Sequence, residues 1–258
     1  MKKSSPVLIC TDLDGTLSSG IDIPAENIEA IKRFQEGGGY FTLCTGRVLG
    51  YLNDNILKSI EPNTYIITLN GAVIVDSKTN EYLYRGYLDP HFTAIADEIL
   101  EFACDMNDVF VYYKDAISAK RLSPTDPCFY SKLQPIDEIH KIVFTFKNEA
   151  TTLAAKKAGI AVSDDRFEIT RSWPTGLELL DAKSSKGEAV KRIKRYLKAK
   201  TLVTVGNYEN DIPMLKAADI SYAVANSEEH VKAEATRVTV SQEDAAIAKV
   251  IDDILALP

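Results

Sequence analysis

Short apolar runs alternate with longer stretches of helical spacing along this chain. Val7-Leu8-Ile9-Cys10-Thr11 is a continuous run, the pattern of a strand buried on both faces. Ile28, Ile31 and Phe34 recur at near-helical intervals between Pro24 and Glu36, and Gly37-Gly38-Gly39 ends that helix. Tyr40 to Cys44 predicts the next strand, Val48 to Ile60 a helix, and Tyr65 to Thr68 another strand. Asn70-Gly71 and Asn80 sit between short β-branched runs and predict hairpins.

From about 83 to 181 the pieces are longer and less regular. Pro90 to Met106 predicts a helix, and Val109 to Tyr113 and Lys141 to Phe146 predict strands. Phe167 to Arg171 and Gly176 to Leu180 can pair around Trp173-Pro174. The first register then resumes: helix Lys186 to Leu197, strand Thr201 to Val205, helix Asp211 to Ala217, strand Ile220 to Ala223. Two last helices are predicted at about Ser227 to Ala235 and Glu243 to Leu257. Repeated βα units imply an α/β fold, a parallel sheet with helices on both faces. The simplest organisation is a core from 1–82 and 182–258, interrupted by an α+β module at 83–181.

At 258 residues the chain is long enough to bury a core, and its composition is that of a globular protein. The formal charge of −7 argues against nucleic-acid and anionic-membrane partners, yet leaves room for a local anion pocket. No run approaches the ~20 apolar residues of a membrane span. Met1 to Cys10 carries too short an apolar stretch for a signal peptide. Cys10, Cys44, Cys104 and Cys128 match no metal or redox spacing. Free thiols in a reducing cytosol, hence a cytoplasmic protein, are expected.

Three strand ends and one first helical turn carry the chemistry. Asp12-Leu13-Asp14-Gly15-Thr16 follows the first strand, where open α/β sheets bind ligands. Thr45-Gly46-Arg47 follows the second; a hydroxyl and a glycine there suit a phosphate oxygen. Ser185 and Glu188 have capping-box spacing, which puts Lys186 in a first helical turn. The helix dipole disfavours a lysine there, and a bound phosphate would offset that conflict. Gly206-Asn207-Tyr208-Glu209-Asn210-Asp211 supplies hard oxygen donors of the kind Mg²⁺ takes. Each of these also reads, by itself, as a polar turn, a helix cap or a surface lysine.

In this order and placement the four motifs resemble the haloacid dehalogenase-like (HAD) superfamily, and the large insertion resembles its Cof-type subfamily. The resemblance implies a Rossmann-like core with an inserted cap domain of C2 type, and a phosphatase acting on a small phosphorylated metabolite, a sugar phosphate first among the classes. It implies that Asp12 is the nucleophile, forming an aspartyl-phosphate, and that Asp14 is general acid and then base. Leu13, Thr45, Gly46, Lys186 and Asn210 would hold the phosphoryl group. Mg²⁺ would lie among Asp12, Asp14, Asn207 and Asp211. Arg47 is either a substrate contact or a structural ion pair, Asn70 at least a turn residue and a candidate contact to the substrate phosphate, and Trp173 and Glu178 candidate pocket residues. His91, His140 and His230 fall outside every motif.

One position departs from the family pattern. The fourth motif usually begins Gly-Asp; here it is Gly206-Asn207, which removes one negative charge from the expected metal site. That opens one alternative, a non-catalytic protein that binds a phosphometabolite; the resemblance leaves another, a phosphotransferase or phosphomutase on the same chemistry. Oligomeric state is not legible.

Overall fold

A computed structural model describes residues 6–20, 22–52, 54–76, 78–114 and 119–257. Residues 1–5, part of the stretch read for a signal peptide, and Asn53, inside a predicted helix, lie outside the described residues.

The first segment runs β1 (Val7–Thr11), α1 (Ala25–Glu36), β2 (Tyr40–Leu43) and α2 (Asp54–Ile60). It ends in an antiparallel meander of β3 (Ile66–Thr68), β4 (Val73–Val75) and β5 (Tyr82–Arg85). The expected hairpins are there, with Asn70 and Asn80 both in left-handed backbone. The single helix expected over 48–60 is broken. A 3-10 turn at Leu49–Tyr51 precedes α2, because Val48 and Leu52 on either side are extended. Leu52 thereby reaches the core with Ile56 and Ile60.

The middle segment holds α3 (Thr93–Leu100), β6 (Met106–Tyr113), β7 (Lys120–Leu122), α4 (Phe129–Lys132), β8 (Ile139–Phe146), α5 (Glu149–Val162), β9 (Phe167–Trp173) and β10 (Gly176–Asp181). The helix expected over 90–106 stops at Leu100, and Met106 already starts β6. Its buried stripe of Ile95, Ala96 and Ile99 ends there, and β6 takes up strand alternation. The five strands form one antiparallel sheet, ordered β7-β6-β8-β10-β9. Ile142, Phe144, Leu177 and Leu179 pack with α3 and α5 residues in one apolar cluster. Lys141, Val143 and Glu178, at the alternate positions, line a cleft against the core.

The last segment returns with α6 (Lys186–Leu197), β11 (Thr201–Gly206), α7 (Ile212–Ala217), β12 (Ile220–Ala223), α8 (Glu229–Lys232), β13 (Arg237–Val238) and α9 (Ala246–Leu255). The helix expected over 227–235 is thus only one turn long. The core sheet is parallel, ordered β13-β12-β11-β1-β2. Ile9, Phe41, Val203 and Val205 pack with residues of α1 and α9 on one face, while Leu8, Cys10 and Leu202 pack with α6 residues on the other. That two-sided burial is why β1 has no polar alternation. β1 lies between β11 and β2, so the chain's first, second and fourth motifs leave adjacent strand ends. No helix among the described residues is long and apolar enough to cross a membrane. All four cysteines are free, Cys10 and Cys44 buried on neighbouring strands.

Candidate active site

Asp12 is the first residue beyond β1, and its amide still pairs with the Val205 carbonyl at 2.9 Å. The chain then turns sharply at Gly15, whose φ is +81°. A Cβ there would stand 2.5 Å from Asn207 Nδ2, so glycine is needed both for the turn and for the close approach of the fourth motif. Thr16 Oγ1 donates to Asn207 Oδ1 at 3.1 Å across the same junction.

Lys186 is the first residue of α6, and Ser185 caps that helix by accepting from the Glu188 amide, as the capping-box spacing predicts. Its ammonium is fully buried and lies 2.6 Å from both Asp12 Oδ1 and Asp211 Oδ1. The other Asp211 oxygen accepts from the Asn207 and Tyr208 amides at 2.8 and 3.2 Å. Asp211, expected among the metal donors, meets Lys186 with one oxygen and the backbone of its own loop with the other. Burial pushes the Asp12 carboxyl up to about 7, against the pull of Lys186; Asp211 and Asp14 push the same way as burial. Burial alone would lower the Lys186 ammonium, but Asp12 and Asp211 outweigh it and hold it charged.

Asp14 is half exposed and held by a forked Arg47 contact, Nε to Oδ2 at 2.9 Å and Nη2 to Oδ1 at 2.5 Å. The structure thus places Arg47 in an ion pair that itself lines the cleft. Thr45 is buried, and its Oγ1 accepts from the Arg47 amide at 3.2 Å. Leu13 turns its side chain into the core and leaves only its main chain to the loop.

The cap sheet closes a cleft of about 320 Å³ over these loops. Core residues Asp12, Asp14, Gly46, Arg47, Asn207 and Asn210 line one side. Lys141, Ser172, Trp173 and Glu178 line the other, with Trp173 39% exposed. Lys141 and Glu178 form a buried pair at 3.1 Å, and Lys141 also donates to the Gly46 carbonyl at 3.0 Å. Burial lowers the Lys141 ammonium and Glu178 opposes it. Asn70 donates to Glu178, and Asn210 to Ser172 Oγ at 2.9 Å and Asn70 Oδ1 at 3.3 Å. The site residues expected from the sequence therefore converge, Thr45 and Lys186 from beneath the cleft. Lys141, Ser172 and Tyr112 were not singled out; a lysine inside the apolar run of β8 was the one legible sign. The histidines lie apart: buried His140 Nδ1 is 2.6 Å from the Gly86 carbonyl and its ring stacks on Tyr87, while His91 and His230 are well exposed.

No group of three or more His, Cys, Asp or Glu side chains that could hold a metal occurs among the described residues. Asp12, Asp14 and Asn207 instead line the cleft together and offer carboxylate, main-chain carbonyl and amide oxygens. All are hard oxygens, and Asp12 with Asp211 outnumbers Lys186 in charge, so the set fits a hard cation.

A sequence profile of the haloacid dehalogenase-like hydrolases matches residues 9–251. The chain is 26% identical to phosphatase YwpJ of Bacillus subtilis, covering 96% of this chain and 99% of that one. It is 24% identical to the 5-amino-6-(5-phospho-D-ribitylamino)uracil phosphatase YitU of the same organism, over 99% and 100%. The fold matches that of BT4131, a sugar phosphatase of HAD subclass IIB, with a TM-score of 0.79 at 20% identity, covering 97% and 99% of the two chains.

Proposed function

The chain belongs to the haloacid dehalogenase-like hydrolases, and we propose that it is a Mg²⁺-dependent phosphatase for a small polar phosphomonoester. The observation that carries this is the buried Lys186 ammonium between Asp12 and Asp211 at the foot of a cleft that also holds Asp14. Asp12 attacks phosphorus, the bond to the leaving oxygen breaks, and an aspartyl-phosphate forms; water then releases phosphate and restores the carboxylate. Lys186 offsets the repulsion between the Asp12 carboxylate and the phosphate. Thr45 and the Gly46 and Leu13 amides cradle the phosphoryl oxygens, and Asn210 supports them. Asp14 gives a proton to the leaving oxygen and takes one from the water. Arg47 occupies both Asp14 oxygens, so the first transfer requires one of them to turn away.

Mg²⁺, held by Asp12, the Asp14 carbonyl and Asn207, would supply positive charge to the phosphoryl oxygens. Asp211 acts by fixing Lys186 and the 206–211 loop. On the cap side, Lys141, Glu178 and Ser172 offer donors and acceptors in the way a hydroxyl-rich leaving group needs, with Trp173 as an apolar wall, and Asn70 of the core donates to Glu178 behind them. A sugar phosphate suits this lining. The free thiols fit a cytoplasmic setting.

Phosphate release from a panel of sugar phosphates, nucleotides and other phosphomonoesters with Mg²⁺ tests the reading. Turnover should concentrate on polyol or sugar monophosphates and fall at least ~10³-fold in Asp12→Asn. No turnover on any member, with Asp12→Asn indistinguishable from wild type, would mark a binding protein. Phosphate passing to an added alcohol without free release would mark a phosphotransferase.

A further inference from the structure

The 206–211 loop is gripped from above by two consecutive residues of β9, the edge strand of the cap sheet. Ser172 Oγ accepts from Asn210, as described. Arg171 Nε and Nη2 reach Glu209 Oε1 at 2.9 and 2.5 Å, with only 4% of the Arg171 side chain exposed. Lys156 of α5 reaches the other Glu209 oxygen at 2.5 Å. The Arg171 guanidinium also lies 5.6 Å above the Tyr208 ring. His230 of the core stands 3.9 Å from Glu209. Glu209 therefore sends one carboxylate across the cap–core seam to two cap cations.

We infer that Glu209 is a positioning residue that makes closure of the cap and the working shape of the 206–211 loop a single event. Asn207 and Asn210, on either side of it, face the reaction cleft. Glu209 does not line the cleft, so it acts through them. An ion pair this largely shielded from water is costly to leave half-made, which discourages partial opening. Full opening is tolerated, because Arg171 keeps a second carboxylate inside the cap, Glu149 of α5 at 2.6 Å, and Glu209 gains water. Those two partnered states are what a reversible latch needs.

The test compares wild type with Glu209→Gln and Glu209→Asp in the absence of substrate. Small-angle X-ray scattering should show a larger radius of gyration for Glu209→Gln, and amide exchange of the 206–211 loop should quicken about tenfold, with the fold intact by circular dichroism. With p-nitrophenyl phosphate, kcat should fall about tenfold with little change in KM, and Glu209→Asp should recover most of the loss. An unchanged radius, or an unchanged loop, overturns the inference. If Glu209→Gln does not fold, Lys156→Met, which removes the more exposed cap cation, must produce both changes, and their absence overturns it equally. Scattering and exchange need no turnover, so a failed phosphatase assay counts against the proposed function and not against the latch.

Discussion

An amide at position 207 offers the same oxygen as a carboxylate with one negative charge fewer, and here it is anchored by Thr16 and pressed against Gly15. Asp211 already holds Lys186 with one oxygen and the loop amides with the other. Asn207→Asp should therefore lower the Mg²⁺ concentration for half-maximal activity by about tenfold, the scale of one added charge in a partly buried site. A titration in which both proteins require the same Mg²⁺ would show that Asn207 does not face the metal. The neighbouring residues were legible because each motif couples a residue type to a strand end or a first helical turn. Arg47 was ambiguous because the same fork suits a carboxylate and a phosphate alike. Glu209 was quoted within the fourth motif but given no role of its own, because nothing local distinguishes it from any other loop glutamate; its partners lie 38 and 53 residues away.

At the scale of elements, the position of Lys186 depends on how the start of α6 is seated. The β3–β4 hairpin packs against it through Gly71, at φ +110°. A Cβ on Gly71 would stand 2.5 Å from the Ser185 carbonyl oxygen and 2.7 Å from that of Ser184. Neither backbone atom can yield without moving Lys186. Gly71→Ala should cost about 1–3 kcal/mol in denaturant unfolding. A loss below ~0.5 kcal/mol would mean the hairpin is not wedged there. Sequence periodicity found the strands of the core because they are apolar on both faces, and it found α6 because its cap is written in Ser185 and Glu188. It passed over α5, whose buried face is Thr152, Ala155 and Gly159, too small and too polar to register as an apolar stripe. It ran α3 into β6 because Phe102 and Met106 continue helical spacing into residues that turn and extend.

On the proposed function, the core layer carries the catalytic and metal-binding loops and the cap layer the contacts to the leaving group. The core sheet, read from β1 outward, fixes Asp12, Thr45 and Asn207 at one edge. The cap was legible as an insertion by its change of register, but not in the face it turns to the site, since Lys141 and Glu178 become a pair only through β8–β10 pairing. The charge of −7 says little against an anionic substrate once Lys186, Lys141 and Arg47 are seen at the cleft or beneath it. What unites the layers is the claim that Asp12 takes the phosphoryl group onto itself. Rapid-quench mass spectrometry during turnover tests it most directly. The account predicts a transient acyl-phosphate on the peptide bearing Asp12, absent in Asp12→Asn. Steady phosphate release with no label on the protein, and an Asp12→Asn variant that turns over at the native rate, would contradict it.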